Sequence, residues 1–191
     1  MLKQVLLCCA LITTMGPTAM VKAQPADRRL VVSESASGGA AVDPAVLAEI
    51  AAWLGESFQL PASDPPKMEF VSPTRIAVFR YRGFARSQSS AVDDQAKLVA
   101  ERETAAVYDD ATRTIYLPNG WSGATPAETS VLVHEMVHHL QNGAQLKYEC
   151  PQAREKLAYA AQHRWLERYG RSLESEFQID PFTLLVRTRC I

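Results

Sequence analysis

Blocks of like charge are missing from this chain, and histidine and cysteine number four each, which narrows what it can do. No run of lysine and arginine occurs along the 191 residues: 20 basic residues stand against 21 acidic ones, and the sequence pI is about 6.4. That balance lacks the electrostatic footprint of a nucleic-acid binder, so no nucleic-acid partner is expected. The composition also argues against a membrane bundle or a disordered chain, and no internal repeat is present. What is there is a 47% hydrophobic chain, long enough to bury a core without leaning on metals or disulfides. One ordinary globular domain is the simplest account.

The first stretch reads as an export signal. Met1-Leu2-Lys3-Gln4 is a short positive start, Val5 to Met20 is mostly apolar, and Val21-Lys22-Ala23 places small residues at a cleavage site. Thr13, Thr14, Gly16, Pro17 and Thr18 interrupt the apolar run, which is too short to span a bilayer comfortably. Residues 1–23 are therefore expected to be a signal peptide, giving a periplasmic or secreted protein with no stable membrane insertion after cleavage. Cys8 and Cys9 sit too early in the apolar segment for a lipoprotein and leave with it, so only Cys150 and Cys190 remain. An even pair in an oxidising compartment reads as one disulfide, with two separate buried thiols as the alternative. A bridge closes a loop of about 40 residues, worth roughly 4 kcal/mol in the chain-entropy model.

Residues 24–42 are rich in Ala, Ser and Gly and read as a flexible N-terminal arm, with 43–191 as the folded domain. Asp43-Pro44 looks like a helix cap followed by proline at the first helical position, and Val46, Leu47, Ile50, Trp53 and Leu54 continue at helical spacing to about residue 57. Phe70 to Arg82 has β character, with Val71, Ile76, Val78, Phe79 and Tyr81 around a proline. A short helix is expected near Asp94 to Arg102. Two β-prone runs, residues 105–108 and 113–117, flank an Asp-rich turn and predict a hairpin. Thr125-Pro126-Ala127-Glu128 is a capping box opening a helix to about Gln141, apolar over most of its circumference, with Asn142-Gly143 as its stop. Further helices are expected from Pro151 to about Tyr169-Gly170 and from Asp180-Pro181 to near Cys190.

Three of the four histidines fall inside the central apolar helix, as His134-Glu135-Met136-Val137-His138-His139. His134 and His138 are four residues apart, so both imidazoles project from one face on successive turns. That spacing offers two neutral nitrogen ligands to Zn²⁺ without bending the backbone. Glu135 lies about 100° round the helix from His134. It is placed to act as general base on a water acidified by the metal. An apolar buried helix does not normally carry such residues without a use for them. His139 points away from His138 and is not expected to be a ligand.

A catalytic zinc needs a third protein ligand. The metzincin continuation would require Gly and His where this chain has Gln141 and Ala144, which excludes that class. The candidates are Glu155, on the following helix, and Glu149, in the turn before it; Glu155 is favoured because a helix holds a ligand more rigidly. At this point the chain resembles the gluzincin zinc peptidases, and within them the small minigluzincins, over roughly 105–165. Their pattern of HExxH on one helix and ExxA(D) on the next is matched by His134, Glu135, His138, Glu155 and Ala158. Tyr159 stands where that pattern usually has Asp.

The resemblance implies an α+β zincin-like domain: a short antiparallel sheet packed on a central helix and a following ligand helix. It further implies one catalytic Zn²⁺ held by His134, His138 and Glu155, with Ile115-Tyr116-Leu117 as the edge strand on which an extended peptide substrate lies. Tyr159 and His163 could donate to a developing oxyanion or brace a ligand, and Tyr116 could line the cleft; simple packing or a solvated surface is the bland reading of all three. The function expected is zinc-dependent hydrolysis of peptide bonds, with Glu135 as the base. The alternative is a non-catalytic zinc-binding or protein-interaction module on the same scaffold.

Overall fold

Residues 33–34, 40–84 and 106–190 are described by a computed structural model of the chain. The signal peptide expected at 1–23, most of the expected arm and the helix expected near Asp94 to Arg102 lie outside these residues. Within the arm, Ser33–Glu34 (β1) pairs antiparallel with Ala40–Ala41 (β2), and Val42 just beyond is buried.

Asp43 caps the first helix, α1 (Pro44–Phe58), by accepting a hydrogen bond from the backbone N–H of Ala45 at 2.9 Å. Val46, Leu47, Ile50 and Leu54 recur at helical spacing and are buried. Each such aliphatic side chain contributes roughly 1.5–3 kcal/mol by leaving water. The helix stops at Gln59, which adopts the left-handed region (φ 57) and returns its N–H to the carbonyl of Gly55.

The β expectation for Phe70 to Arg82 holds only for its start. Lys67–Val71 is a strand (β3), but Pro73–Phe84 is a helix (α2). Ser72 starts it: its hydroxyl accepts from the N–H of Arg75, and its carbonyl accepts from Arg75 and Ile76. Ser before Pro is a helix-start signal that the β-branched and aromatic residues downstream obscured. Topology supplies the deeper reason. β3 runs parallel to the strand it pairs with, and a parallel pair needs a crossover connection, of which α2 is part.

Val107–Asp109 (β4) and Thr114–Pro118 (β5) form the expected hairpin, antiparallel with Tyr108 opposite Ile115. Asp109 shapes its turn, accepting from the N–H of Ala111 and the hydroxyl of Thr112. The sheet order is β3-β5-β4, with β3 parallel and β4 antiparallel to β5. Two expectations are corrected by this. The sheet is mixed rather than antiparallel, and Ile115-Tyr116-Leu117 lies in the central strand, not at an edge. All five residues of β5 are buried, as expected of a strand covered on both faces, and its backbone groups are committed to neighbours on both sides.

Helix α3 (Pro126–Gly143) opens with the expected capping box between Thr125 and Glu128. Glu128 also accepts from the hydroxyl and N–H of Ser122. Gly143 does end the helix, though not by turning left-handed; Gln145 does that (φ 53), with the N–H of Leu146 returning to Gln141. A Cβ at 143 would stand 2.7 Å from Ser63 Oγ, so any larger residue there requires Ser63 to shift. Helix α4 (Pro151–Glu167) packs along α3, with Ala158 and Ala161 buried at the contact. Trp165 fixes their register: it is fully buried, meets Trp53 of α1 edge-on at 5.1 Å, and donates from Nε1 to Thr129 of α3.

Two short helices close the chain. Leu173–Phe177 (α5), capped by Ser172, was not expected from the sequence, whereas Pro181–Thr188 (α6), capped by Asp180, was. A disulfide joins Cys150 to Cys190, across 40 residues, and so ties the end of α6 to the start of α4. The domain is small and α+β. Among the described residues no helix is long and apolar enough to cross a membrane.

Candidate metal centre

His134 and His138 lie on the face of α3 that meets α4, and Glu155 comes from the first turns of α4 toward them. Glu155 Oε2 is 3.1 Å from His134 Nε2, and its Oε1 is 3.2 Å from His138 Nε2. The two Nε2 atoms are themselves 3.2 Å apart. These three side chains form a group able to hold a metal ion. Glu149, the other candidate from the sequence, is exposed in the connecting turn.

The far nitrogens of the two imidazoles settle which way the near ones face. His138 Nδ1 meets Gln141 Oε1 at 3.1 Å. The amide orientation follows from its other end, which donates from Nε2 to the carbonyl of Arg154. Since that amide oxygen can only accept, His138 carries its proton on Nδ1. His134 Nδ1 meets Gln162 Oε1 at 3.0 Å, while Gln162 Nε2 donates to Ser130 Oγ, whose own proton goes to the carbonyl of Ala127. With the Ser130 proton directed at Ala127, His134 carries its proton on Nδ1 as well. Both Nε2 atoms converge with a carboxylate on one point, where a shared proton or a metal ion satisfies them.

The electrostatics express the same demand. Burial raises the pKa of Glu155, but hydrogen bonds to His134 and His138 outweigh it and hold the carboxyl far below the usual glutamate range. Burial lowers the pKa of His138, but the hydrogen bond and charge of Glu155, with the charge of Glu135 behind them, turn the net shift upward. Glu135 is itself buried, and its charge acts on both His138 and Arg154.

A family model described as a domain of unknown function, DUF6647, matches residues 39–191. The chain belongs to the DUF6647 family. No curated protein and no solved structure matches it. The match is to a domain without an assigned activity and not to a zincin family, so the gluzincin resemblance rests on the residues that carry it.

The remaining residues singled out in the sequence occupy varied places in this DUF6647 domain. Tyr159 lies against the site: its ring meets His134 edge-on at 4.7 Å, and its hydroxyl accepts from Arg187 of α6 at 3.0 Å. Burial, the largest influence, pushes the Tyr159 hydroxyl pKa upward. His163 sits apart, paired with Glu167 one turn on at 3.3 Å on a largely solvated side of α4. Tyr116 is buried and stacked on Phe79 at 4.2 Å, which is core packing in a central strand. His139 is also buried, with Nε2 donating to the carbonyl of Asp64 at 2.6 Å and Nδ1 accepting from Tyr108. Burial holds its pKa low, and it serves to pin the loop before β3 to α3.

Sequence reasoning missed Gln141, Gln162, Ser130 and Arg154. The first two carried a signal: a glutamine three residues past His138 in an apolar helix, and another seven residues past Glu155 on the same face of α4. Arg154 gave no local hint. Its guanidinium grips Asp110 of the hairpin turn through two bonds of 2.6 and 2.9 Å, a contact that only the tertiary fold creates.

Proposed function

We propose that this domain is a zinc-dependent hydrolase of peptide bonds. The observation that carries the reading is the convergence of His134 Nε2, His138 Nε2 and the Glu155 carboxylate, each within about 3.2 Å of the next, beside the buried Glu135. Two imidazoles and one carboxylate are a donor set suited to zinc, and three protein ligands leave a position open for water or substrate. When bound, zinc polarises a carbonyl and makes water acidic at neutral pH. Glu135 then takes the proton from the attacking water and returns it to the departing nitrogen. Tyr159 and Gln162 hold His134, and Gln141 holds His138, so that the ligands do not have to reorganise as charge develops. The signal-like segment 1–23 and the Cys150–Cys190 disulfide support an exported, periplasmic or secreted setting for this activity.

Incubation of the full chain with a mixed peptide library, read by mass spectrometry, tests the reading. Cleavage is expected in the wild type and its loss in Glu135→Gln, with the zinc retained. Cleavage that survives Glu135→Gln would contradict the assigned base.

A non-catalytic zinc-binding module is the second reading, and one observation favours it. The strand expected to align an extended substrate is central in the sheet and paired on both sides. In that case the library is left intact by a chain that nonetheless holds zinc.

A further inference from the structure

Gln141 and Gln162 are almost fully buried polar side chains in the α3–α4 contact, and both direct their amide oxygens at ligand imidazoles. We propose that these two glutamines are the positioning residues of the metal site, each fixing one imidazole as its Nδ1–H tautomer so that both Nε2 lone pairs face the ion. The proposal rests on the metal-site reading above and goes beyond it by assigning the residues that shape the ligands.

The two amides do this in different ways. Gln162 answers to a hydroxyl: its Nε2 donates to Ser130 Oγ at 3.4 Å, and Ser130 can turn its proton from Ala127 toward a new acceptor. Gln141 answers to a carbonyl, Arg154 O at 3.1 Å, which has no proton to offer. Arg154 is also the residue directly before Glu155, so the amide of Gln141 spans from one ligand, His138, to the backbone that delivers another. In the gluzincin pattern an aspartate belongs four residues after the ligating glutamate; here Tyr159 fills that position. The acceptor for His134 sits one turn later, at Gln162. The site is therefore oriented by neutral amides, which accept the imidazole proton without taking it.

This difference gives the test its sign. Replacing Gln162 by Leu keeps the bulk and removes the acceptor, while Gln162→Glu keeps an acceptor that Ser130 can satisfy. Gln141→Glu, in contrast, sets a carboxylate oxygen against the Arg154 carbonyl with no proton between them. Zn²⁺ and Co²⁺ affinities of the full chain, measured by competition with a chromophoric chelator, should fall roughly 10–100-fold in Gln162→Leu and in both Gln141→Leu and Gln141→Glu. Gln162→Glu should bind at least as tightly as the wild type. Equal weakening in Gln162→Leu and Gln162→Glu, or no weakening in Gln162→Leu, would overturn the proposal.

Long-range ¹H–¹⁵N spectra of the metal-free wild-type chain supply a readout that needs neither a variant nor a bound ion. His134 and His138 should each show the proton on Nδ1, and a dominant Nε2–H tautomer with bare Nδ1 at either one would overturn the assignment. A wild-type chain that takes up neither ion defeats the metal reading itself, whereas tight wild-type binding with an indifferent Gln162→Leu defeats only this proposal.

Discussion

Cys150 and Cys190 are bonded to each other with their Cα atoms 5.8 Å apart, so the residue that opens the ligand helix is also the anchor of the last helix. Between them the chain runs through Glu155, Tyr159 and Gln162 and returns with Arg187 against the Tyr159 hydroxyl. The bridge thus encloses one ligand and the groups that brace another.

Opening that loop should loosen the domain from its C-terminal end. Cys150→Ser/Cys190→Ser, or reduction of the wild type, is expected to lower unfolding stability by roughly 2–4 kcal/mol, chiefly by restoring freedom to the unfolded chain. Urea denaturation with and without reductant measures it. A shift below about 0.5 kcal/mol would show that the loop-closure account of this bridge is wrong.

Tyr159 offers two separable contributions, a ring against His134 and a hydroxyl toward Arg187. Tyr159→Phe keeps the ring and should cost about 1 kcal/mol in stability, the worth of one hydrogen bond, with metal affinity little changed. Tyr159→Ala removes the packing on His134 and should weaken metal binding as well. Equal metal affinity in the two variants would mean that the ring does not hold the imidazole.

The cap of α6 gives a pH dependence of defined sign. The N–H of Thr183 donates to Asp180 at 2.7 Å and holds its carboxyl below the ordinary aspartate value of 3.8. A carboxylate whose folded pKa is depressed stabilises the fold fully above its unfolded pKa and loses that contribution as pH falls through the folded one. Asp180→Asn retains a capping oxygen without a charge to titrate. The wild type should therefore lose more of its thermal stability than Asp180→Asn between neutral pH and the region below 3.8. Parallel losses in the two proteins would remove Asp180 from the acid response.

How much of this was legible beforehand follows physical lines. Caps and periodicity placed α1, α3, α4 and α6, because Asp43, Thr125 and Asp180 act on their own next turn. The residues of the His134–His138–Glu155 cluster were legible for the same reason: two lie on one helix face, and the third follows on the next helix. Pairing between distant segments was not. β3 lies parallel to β5, and nothing local in Lys67–Val71 announces a partner more than forty residues away, so β5 was misread as an edge and α2 as a strand. Gln141 shows the limit most clearly. In the sequence it served only to exclude one class of zinc site, yet in the fold it holds His138 through an acceptor and reaches Arg154 through a donor.

The claim on which the rest depends is that His134, His138 and Glu155 hold zinc. Zinc bound to the full chain after dialysis against trace metal, quantified by inductively coupled plasma mass spectrometry, tests it directly. The account predicts one zinc ion per chain in the wild type and in Glu135→Gln, and little or none in His138→Ala and Glu155→Ala. A wild-type chain without stoichiometric zinc, or a His138→Ala chain that keeps it, would contradict the account.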